Sequence, residues 1–192
     1  MKKYNVIYAD PPWSYDNKSV QFSHTPDEEY AVEGRYGLMD LEQLKKFPVQ
    51  SLIQSDCICF MWVVNPLLPE GLELLKSWGF KYKTMLTWKK RNGTGYWFRG
   101  ITEHILLGVK GNVKAFRDGR ENFHECKAGR HSQKPHYFRE LFADVVKKSF
   151  EEPSKLELFA RSRDGFFPDY EYEGWDVYGN EVNNSIELPI NP

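Results

Sequence analysis

Four consecutive residues near the start of the chain bring together an acid, two prolines and an indole. Asp10, Pro11, Pro12 and Trp13 follow residues 5–9, an apolar run with the length of a buried strand. The prolines must end that strand, because proline fixes φ and lacks the N–H that a sheet requires. Proline also favours extended backbone in the preceding residue, so the pattern predicts that Asp10 and the Pro11 carbonyl are held open at a strand end.

Two hydrogen-bond acceptors beside a flat aromatic face suit the exocyclic amine of adenine. The lone pair of that amine is conjugated with the ring, so a catalyst must hold the amine protons while the nitrogen attacks an electrophilic carbon. Asp10 and the Pro11 carbonyl can accept those protons, and Trp13 can stack on an unpaired base, which is worth about 1–3 kcal/mol. A Pro-rich turn with a packed tryptophan is the alternative, and four residues alone leave both open.

The distribution of charge favours a nucleic-acid partner, although the net charge is only −1. Residues 76–139 contain 15 Lys and Arg against 4 Asp and Glu, whereas the whole chain contains 26 against 27. This asymmetry predicts a cationic face that attracts phosphates and binds them in a salt-dependent way. A solvated loop region of ordinary lysine content is the competing explanation.

Length and composition predict one domain, residues 1–192, in a soluble, cytoplasmic protein. No apolar stretch has the length of a signal sequence or a membrane span. The three cysteines form no CxxC pair, which favours reduced thiols. His124, Cys126 and His131 match no standard zinc spacing, so no metal is expected.

The hydrophobic pattern predicts an α/β protein with a parallel sheet, because strands alternate with helices. A capping box of Asp40 and Gln43 marks a helix start. The strand at 102–109 is expected to pair antiparallel with a neighbour. The predicted elements are strand 5–9, helix 41–47, strand 57–64, a helix marked by Leu72, Leu75 and Trp78 that ends at Gly79, strands 80–88 and 102–109, a helix from Lys134 with its apolar stripe in the core, and a last strand at 155–160.

Three polar segments are predicted to be substrate loops: residues 14–36, 89–100 and 111–132. The second contains Gly93 and Gly95, four cations and three consecutive aromatic residues. Mobility, charge and flat apolar surface are what a loop needs to grip a splayed nucleotide. No GK[ST] follows these glycines, so the segment is not a P-loop.

Four motifs occur in an order that resembles a known family. After Asp10-Pro11-Pro12-Trp13 come His131-Ser132-Gln133-Lys134-Pro135, Glu157-Leu158-Phe159-Ala160-Arg161, and Gly174-Trp175 with Gly179-Asn180-Glu181. The set resembles the N(6)-adenine methyltransferases typified by the catalytic subunit that methylates adenosine in eukaryotic mRNA, a family with bacterial and phage DNA members. The resemblance implies a Rossmann-like class I methyltransferase fold, with the motifs in the permuted, beta-type order.

The resemblance also implies S-adenosylmethionine as cofactor, which the residues by themselves do not name, and it assigns roles. In this assignment Lys134 neutralises the carboxylate of the cofactor. The implied catalytic residues are Asp10, Pro11, Pro12 and Trp13. The implied cofactor-binding residues are Asp10, Lys134, Leu158, Phe159, Arg161, Asn180 and Glu181. The predicted substrate-binding residues are Trp13, Lys89, Arg91, Tyr96, Trp97, Arg99 and Glu103.

The implied reaction is methyl transfer to the N(6) amine of a flipped adenine. The absence of an added RNA-binding module favours DNA, with RNA adenosine or a non-catalytic partner subunit as alternatives. A homodimer or a related partner subunit is expected, because no separate recognition domain is present. Only nine residues precede Asp10, which predicts weak or substrate-assisted cofactor binding. Phe166, Phe167, Tyr170 and Tyr172 predict an added aromatic surface near the site.

Overall fold

The computed structural model of the chain describes residues 2–14, 37–91, 93, 97–126, 134–161, 172–180 and 182–188. Its strands are β1 (Tyr4–Ala9), β2 (Ile53–Val64), β3 (Lys81–Lys89), β4 (Thr102–Lys110), β5 (Phe123–Glu125), β6 (Lys155–Leu158) and β7 (Asp176–Tyr178). Its helices are α1 (Leu41–Lys45), α2 (Val49–Leu52), α3 (Leu68–Ser77) and α4 (His136–Val145), with 3-10 turns at Asn65–Leu67 and Val146–Lys148.

The strands form one sheet in the order β5-β3-β4-β2-β1-β6-β7. Strand β4 is antiparallel to both of its neighbours, as predicted for one of them, and the other six strands share one direction. The C-terminal ends of those six strands and the start of β4 therefore lie along the same edge, called the carboxyl edge below. In doubly wound sheets, ligands bind at this edge.

The predicted Rossmann-like α/β fold, with a mostly parallel sheet, is confirmed. The first strand of the chain lies inside the sheet, and the last two strands, β6 and β7, extend the sheet outward from it. The permuted motif order follows from this arrangement, because the segment after β1 and the segment after β6 reach the carboxyl edge side by side.

Helices cover both faces of the sheet, which makes its central strands apolar on both sides. Along β2, Cys57, Cys59 and Met61 face α1, α2 and α3, whereas the alternate residues face α4. Phe60 stacks on Phe142 of α4 with ring centroids 3.8 Å apart. This double cover explains why β2 reads as a continuous apolar run rather than an alternating one.

Local signals define the helix ends. The predicted capping box is present: the Asp40 side chain accepts from the Gln43 N–H, and the Gln43 side chain accepts from the Asp40 N–H. Gly79, with φ +88°, follows the end of α3. Pro135 precedes α4 as its N-cap. No helix within the described ranges is long and apolar enough to cross a membrane.

Several predicted boundaries were wrong. The segment 111–132 was predicted to be loop but contains β5, which pairs with β3 in parallel. The strand predicted as the last one ends at Leu158, because Phe159 has φ +61°, and β7 follows it. Helix α1 ends at Lys45 instead of residue 47, and β2 begins at Ile53 instead of residue 57.

One prediction about the core also needs correction. The helix marked by Leu72, Leu75 and Trp78 is present as α3, with Leu72 exposed and Gly71, Leu74 and Leu75 facing the core. Tyr137, predicted in the buried stripe of α4, is 40% exposed. The remainder of that stripe is buried as predicted: Phe138, Leu141, Phe142, Val145 and Val146.

Candidate active site

The carboxyl edge brings three of the predicted site residues into contact. Asp10 follows β1 directly, Glu103 is the second residue of β4, and Lys134 lies just before α4. The Lys134 Nζ lies 3.0 Å from Asp10 Oδ1 and 3.3 Å from Glu103 Oε2. One lysine thus binds two carboxylates that are far apart in the sequence.

A second lysine, Lys90, extends this cluster. Its Nζ lies 2.8 Å from Glu103 Oε1, so each oxygen of Glu103 has a lysine of its own. We call these four side chains, Asp10, Lys134, Glu103 and Lys90, the charge network. The exposed fractions of these four side chains are all between 15 and 25%, so each is partly buried and still reached by solvent.

The neighbours in the charge network keep one another ionised. Burial works against the charge of Lys134, but Asp10 and Glu103 outweigh it and raise the pKa of Lys134 above its ordinary value. Burial likewise works to raise the pKa of Glu103, but Lys134 and Lys90 outweigh it and hold that pKa below its ordinary value. Both groups are therefore charged at neutral pH.

The prolines fix the backbone next to Asp10. Pro11 and Pro12 are buried, and the Trp13 N–H donates to the Pro11 carbonyl at 2.9 Å, which closes a three-residue turn. The Asp10 N–H donates to the Leu158 carbonyl of the adjacent strand at 3.4 Å. A carbonyl oxygen has two lone pairs, so the Pro11 carbonyl keeps capacity for a further donor.

Trp13 is half-buried and fixed by several contacts. Its indole N–H donates to the Trp62 carbonyl at 3.2 Å, and its backbone forms a bridge with Met39. Met39 also donates to the Pro12 carbonyl and accepts from the Ser14 N–H. The predicted loop at 14–36 therefore leaves and rejoins the structure beside Trp13, while residues 15–36 themselves lie outside the described ranges.

Trp62 packs against the charge network through its contact with Lys134. Its indole N–H donates to the Tyr8 hydroxyl at 2.7 Å, and its ring lies 5.2 Å from the Lys134 ammonium. Trp62 is buried in the core facing α4. The Trp62 ring is therefore a further partner of the Lys134 ammonium, beside the two carboxylates.

Two of the predicted cofactor residues, Leu158 and Phe159 at the end of β6, have side chains that pack in the core. Leu158 is buried in the core, and the Phe159 ring packs on Phe47 with centroids 4.8 Å apart. The left-handed backbone of Phe159 turns the chain out of the sheet, and strain of this kind is common at functional sites. Only the backbone of these two residues can therefore reach a ligand at the edge.

The ends of β6 and β7 approach each other closely. The Ala160 N–H donates to the Tyr178 carbonyl at 3.0 Å, and a Cβ at Gly179 would lie 2.0 Å from the Ala160 carbonyl oxygen. Asn180, half-buried, follows this crossing, and Arg161, exposed, follows β6, the strand that pairs with β1. Glu181 lies outside the described residues.

Among the predicted substrate-binding residues that the structure describes, those of the loop 89–100 lie outside the charge network. Trp97 is 94% exposed, and Arg91 and Arg99 are also exposed. Lys89 pairs with Glu125 of β5 at 3.1 Å. Tyr96 lies outside the described ranges, as do His131, Ser132 and Gln133.

Tyr172, predicted to be part of an added aromatic surface, is buried instead. Its ring lies 4.6 Å from the Arg139 guanidinium, and its hydroxyl donates to the Arg161 carbonyl at 2.6 Å. Arg139 in turn forms a bidentate pair with Glu157. The other predicted members of that surface, Phe166, Phe167 and Tyr170, lie outside the described part of the chain.

Sequence reasoning missed Lys90 and Trp62 as members of the site. The signal for Lys90 is its spacing of two residues from buried Trp88, which puts both on the α4 side of the sheet with Glu103. His104 points to the other face, where its ring nitrogens contact Thr87 and Asn65. Burial lowers the pKa of His104, so it is a neutral, structural histidine.

The donor set at the edge suits an amino acid zwitterion. The Lys134 ammonium and the Asp10 carboxylate are partly exposed and complementary to a carboxylate and an ammonium group, respectively. The carboxamide of Asn180 adds a neutral donor and acceptor. In the described part of the chain, no three His, Cys, Asp or Glu side chains cluster as metal ligands.

Comparison with known proteins gives a consistent result. The MT-A70 family model matches residues 4–181. The type II methyltransferase M.MunI of a Mycoplasma species is 34% identical over 98% of this chain and 82% of its own length. An N(6)-adenosine-methyltransferase MT-A70-like protein of Arabidopsis thaliana is 29% identical, and the human catalytic subunit METTL3 is 26% identical. Each of these two alignments covers 94% of this chain but only 24% and 28%, respectively, of the longer relative. This chain therefore belongs to the MT-A70 family of methyltransferases.

Proposed function

We propose that the protein transfers a methyl group from S-adenosylmethionine to the N(6) amine of adenine in DNA. The observation that carries this proposal is the Asp10 carboxylate at the end of β1, 3.0 Å from the Lys134 ammonium and beside the turn that fixes the Pro11 carbonyl. Family membership supports methyl transfer. The length match to a type II methyltransferase and the cationic segment 76–139 support DNA.

In this proposal Asp10 accepts a hydrogen bond from the adenine amine. Together with the Pro11 carbonyl it orients the nitrogen lone pair out of conjugation. The amine gives up one proton when its new N–C bond forms, and the Asp10 carboxylate takes that proton before passing it to water. Trp13, held through its indole N–H, offers its ring to the flipped base.

Lys134 and the segments after β6 and β7 would hold the cofactor. When bound, the cofactor would supply the electrophilic methyl group from its methylsulfonium, whose S–C bond breaks to leave a neutral thioether as the N–C bond forms. The Lys134 ammonium suits the cofactor carboxylate, and Asn180 with Glu181 suits the ribose hydroxyls. Leu158 and Phe159 would contribute backbone groups, because their side chains are buried. Arg161, exposed after β6, stays in the proposed cofactor set.

The test is to incubate the protein with labelled S-adenosylmethionine and, separately, duplex DNA, single-stranded DNA and RNA, and then to identify methylated nucleosides. N(6)-methyladenine from DNA is the expected product. Asp10→Ala should abolish transfer, and Asp10→Asn should reduce it at least a hundredfold because the amide cannot take the proton. Cofactor binding should fall much less than transfer in both variants. Retained transfer by Asp10→Ala would disprove the assignment.

RNA adenosine is the second candidate substrate, and one observation favours it. Relatives named N(6)-adenosine-methyltransferases match 94% of this chain. Methylated adenosine from RNA alone would keep the chemistry proposed for Asp10 and change the polymer. Silence on all three polymers with cofactor binding intact would indicate that the chain works with a partner subunit.

A further inference from the structure

The position of Lys90 is fixed by the sheet. It follows β3 directly, and its N–H donates to the Ile101 carbonyl at 2.7 Å, one step beyond the β3–β4 pair Lys89 and Thr102. Its side chain projects to the α4 side and is 25% exposed. Lys90 therefore reaches Glu103 from a rigid position, at the base of the segment 91–100.

Lys90 and Lys134 divide the two oxygens of Glu103 between them. Lys90 lies 2.8 Å from Oε1, whereas Lys134 lies 3.3 Å from Oε2 and closer, at 3.0 Å, to Asp10. Without Lys90, the charge of Glu103 would be compensated by Lys134 alone among these lysines, and Glu103 would attract Lys134 more strongly. Because Lys134 contacts both carboxylates, a stronger attraction to Glu103 weakens its contact with Asp10.

We propose that Lys90 is a positioning residue: by neutralising Glu103, it keeps Lys134 beside Asp10. This inference deepens the proposed function and rests on it. Lys90 contacts neither the substrate nor the reacting atoms in this role. It acts through Glu103 on Lys134, and through Lys134 on the acceptor that must orient the amine.

The described charged groups around Glu103 come from three neighbouring elements. Lys90 follows β3, Lys134 precedes α4, and Asp10 follows β1, where it reaches Glu103 through Lys134. On β4 itself, His104 points to the opposite face and is neutral, because burial lowers its pKa. A difference in pH dependence between the Lys90 variants and the wild type should therefore report Glu103.

The test compares Lys90→Met and Lys90→Arg with the matched variant Lys83→Met, which removes an exposed cation near the start of β3. NMR of the carboxyl carbon, assigned with Glu103→Gln, follows the titration of Glu103 without any ligand. An opposite charge at the range of Lys90 lowers a carboxyl pKa. The Glu103 pKa should therefore rise in Lys90→Met and stay unchanged in Lys83→Met.

The expected changes in activity follow from this rise in the Glu103 pKa. At pH 7.5 kcat should fall about ten- to a hundredfold in Lys90→Met, with recovery in Lys90→Arg. As the pH falls, Glu103 is protonated at a higher pH in Lys90→Met than in the wild type, and a neutral Glu103 no longer draws Lys134 away from Asp10, so the deficit in kcat relative to the wild type should shrink. Lys83→Met should leave kcat unchanged. In a Glu103→Gln background, Lys90→Met should have little further effect.

Three outcomes would overturn the inference. An unchanged Glu103 titration in Lys90→Met would show that the ion pair does not form in solution. A shifted titration with unchanged kcat would show that the pair does not position Lys134. An effect on the KM for nucleic acid alone would make Lys90 a phosphate contact. A wild-type protein that neither binds the cofactor nor transfers a methyl group would defeat the proposed function instead, and the titration would still report on the ion pair.

Discussion

At the scale of single residues, the close approach of the ends of β6 and β7 depends on a glycine, which has no Cβ. Gly179 follows β7, and a Cβ there would lie 2.0 Å from the Ala160 carbonyl oxygen and 2.7 Å from the Ala160 nitrogen. Both contacts are with backbone, so no side-chain rotation can relieve them. The close approach of the two strand ends, which turns Arg161 and Asn180 out at one edge, therefore requires glycine.

Gly179→Ala should accordingly force β6 and β7 apart. Overpacking of this kind costs about 1–3 kcal/mol, because the backbone itself must move. Gly119→Ala is the matched control: a Cβ at Gly119 would meet nothing within 4 Å, and the stability should change by less than about 0.5 kcal/mol. Urea unfolding of both variants measures the difference. Equal midpoints would mean that the strand ends are not packed this closely in solution.

At the scale of elements, a buried ion pair ties α4 to β6. Arg139 Nε lies 2.6 Å from Glu157 Oε2, Arg139 Nη2 lies 2.9 Å from Glu157 Oε1, and both side chains are buried. Tyr172 covers the guanidinium and donates to the Arg161 carbonyl. The helix that follows Lys134 is thereby fixed to the strand that leads to Arg161.

Breaking this pair should cost far more than replacing it. Glu157→Leu alone leaves the Arg139 charge buried and should lower the free energy of unfolding by about 3–5 kcal/mol. The double variant Arg139→Met with Glu157→Leu removes both charges and should recover most of that loss. A double-mutant cycle by urea unfolding measures the coupling. Additive effects would show that the pair contributes no interaction of its own.

The elements that could be predicted from the sequence are those with long or well-marked patterns. The capping box of Asp40 defines the start of α1, and the apolar runs define β1 and β2. Strands β5 and β7 were missed because each has only three residues and is recognisable as a strand only from its pairing. The early end of β6 depends on the left-handed backbone of Phe159, which no periodicity signals.

At the scale of the whole molecule, the sheet order assembles what the sequence leaves apart. Asp10 and Lys134 were predicted from motifs, but their contact requires β1 inside the sheet and α4 on one face. The partnership of Lys90 with Glu103 depends on strand register, which a linear pattern does not contain. The aromatic residues of segment 89–100 have the composition of a nucleotide-binding loop, yet Trp97 stands in solvent, so composition alone overestimates how compact the site is.

Under the proposed function, the same edge should account for most of the attraction to nucleic acid. Arg91 and Arg99 are exposed beside the charge network, whereas Lys81 and Lys83, also exposed, lie near the start of β3, about 20–26 Å along the strand from its last residue, Lys89. Each phosphate contact contributes about 0.9 to the slope of log affinity against log salt. Arg91→Ala with Arg99→Ala should therefore weaken binding and reduce that slope by about 2, if both cations contact phosphates. Lys81→Ala with Lys83→Ala removes the same charge and should leave the slope nearly unchanged.

Fluorescence anisotropy between about 50 and 200 mM salt, concentrations at which ionic contacts dominate, measures the affinity and the salt slope of both double variants. Equal losses in the two variants would mean that net charge, and not the carboxyl edge, attracts the polymer.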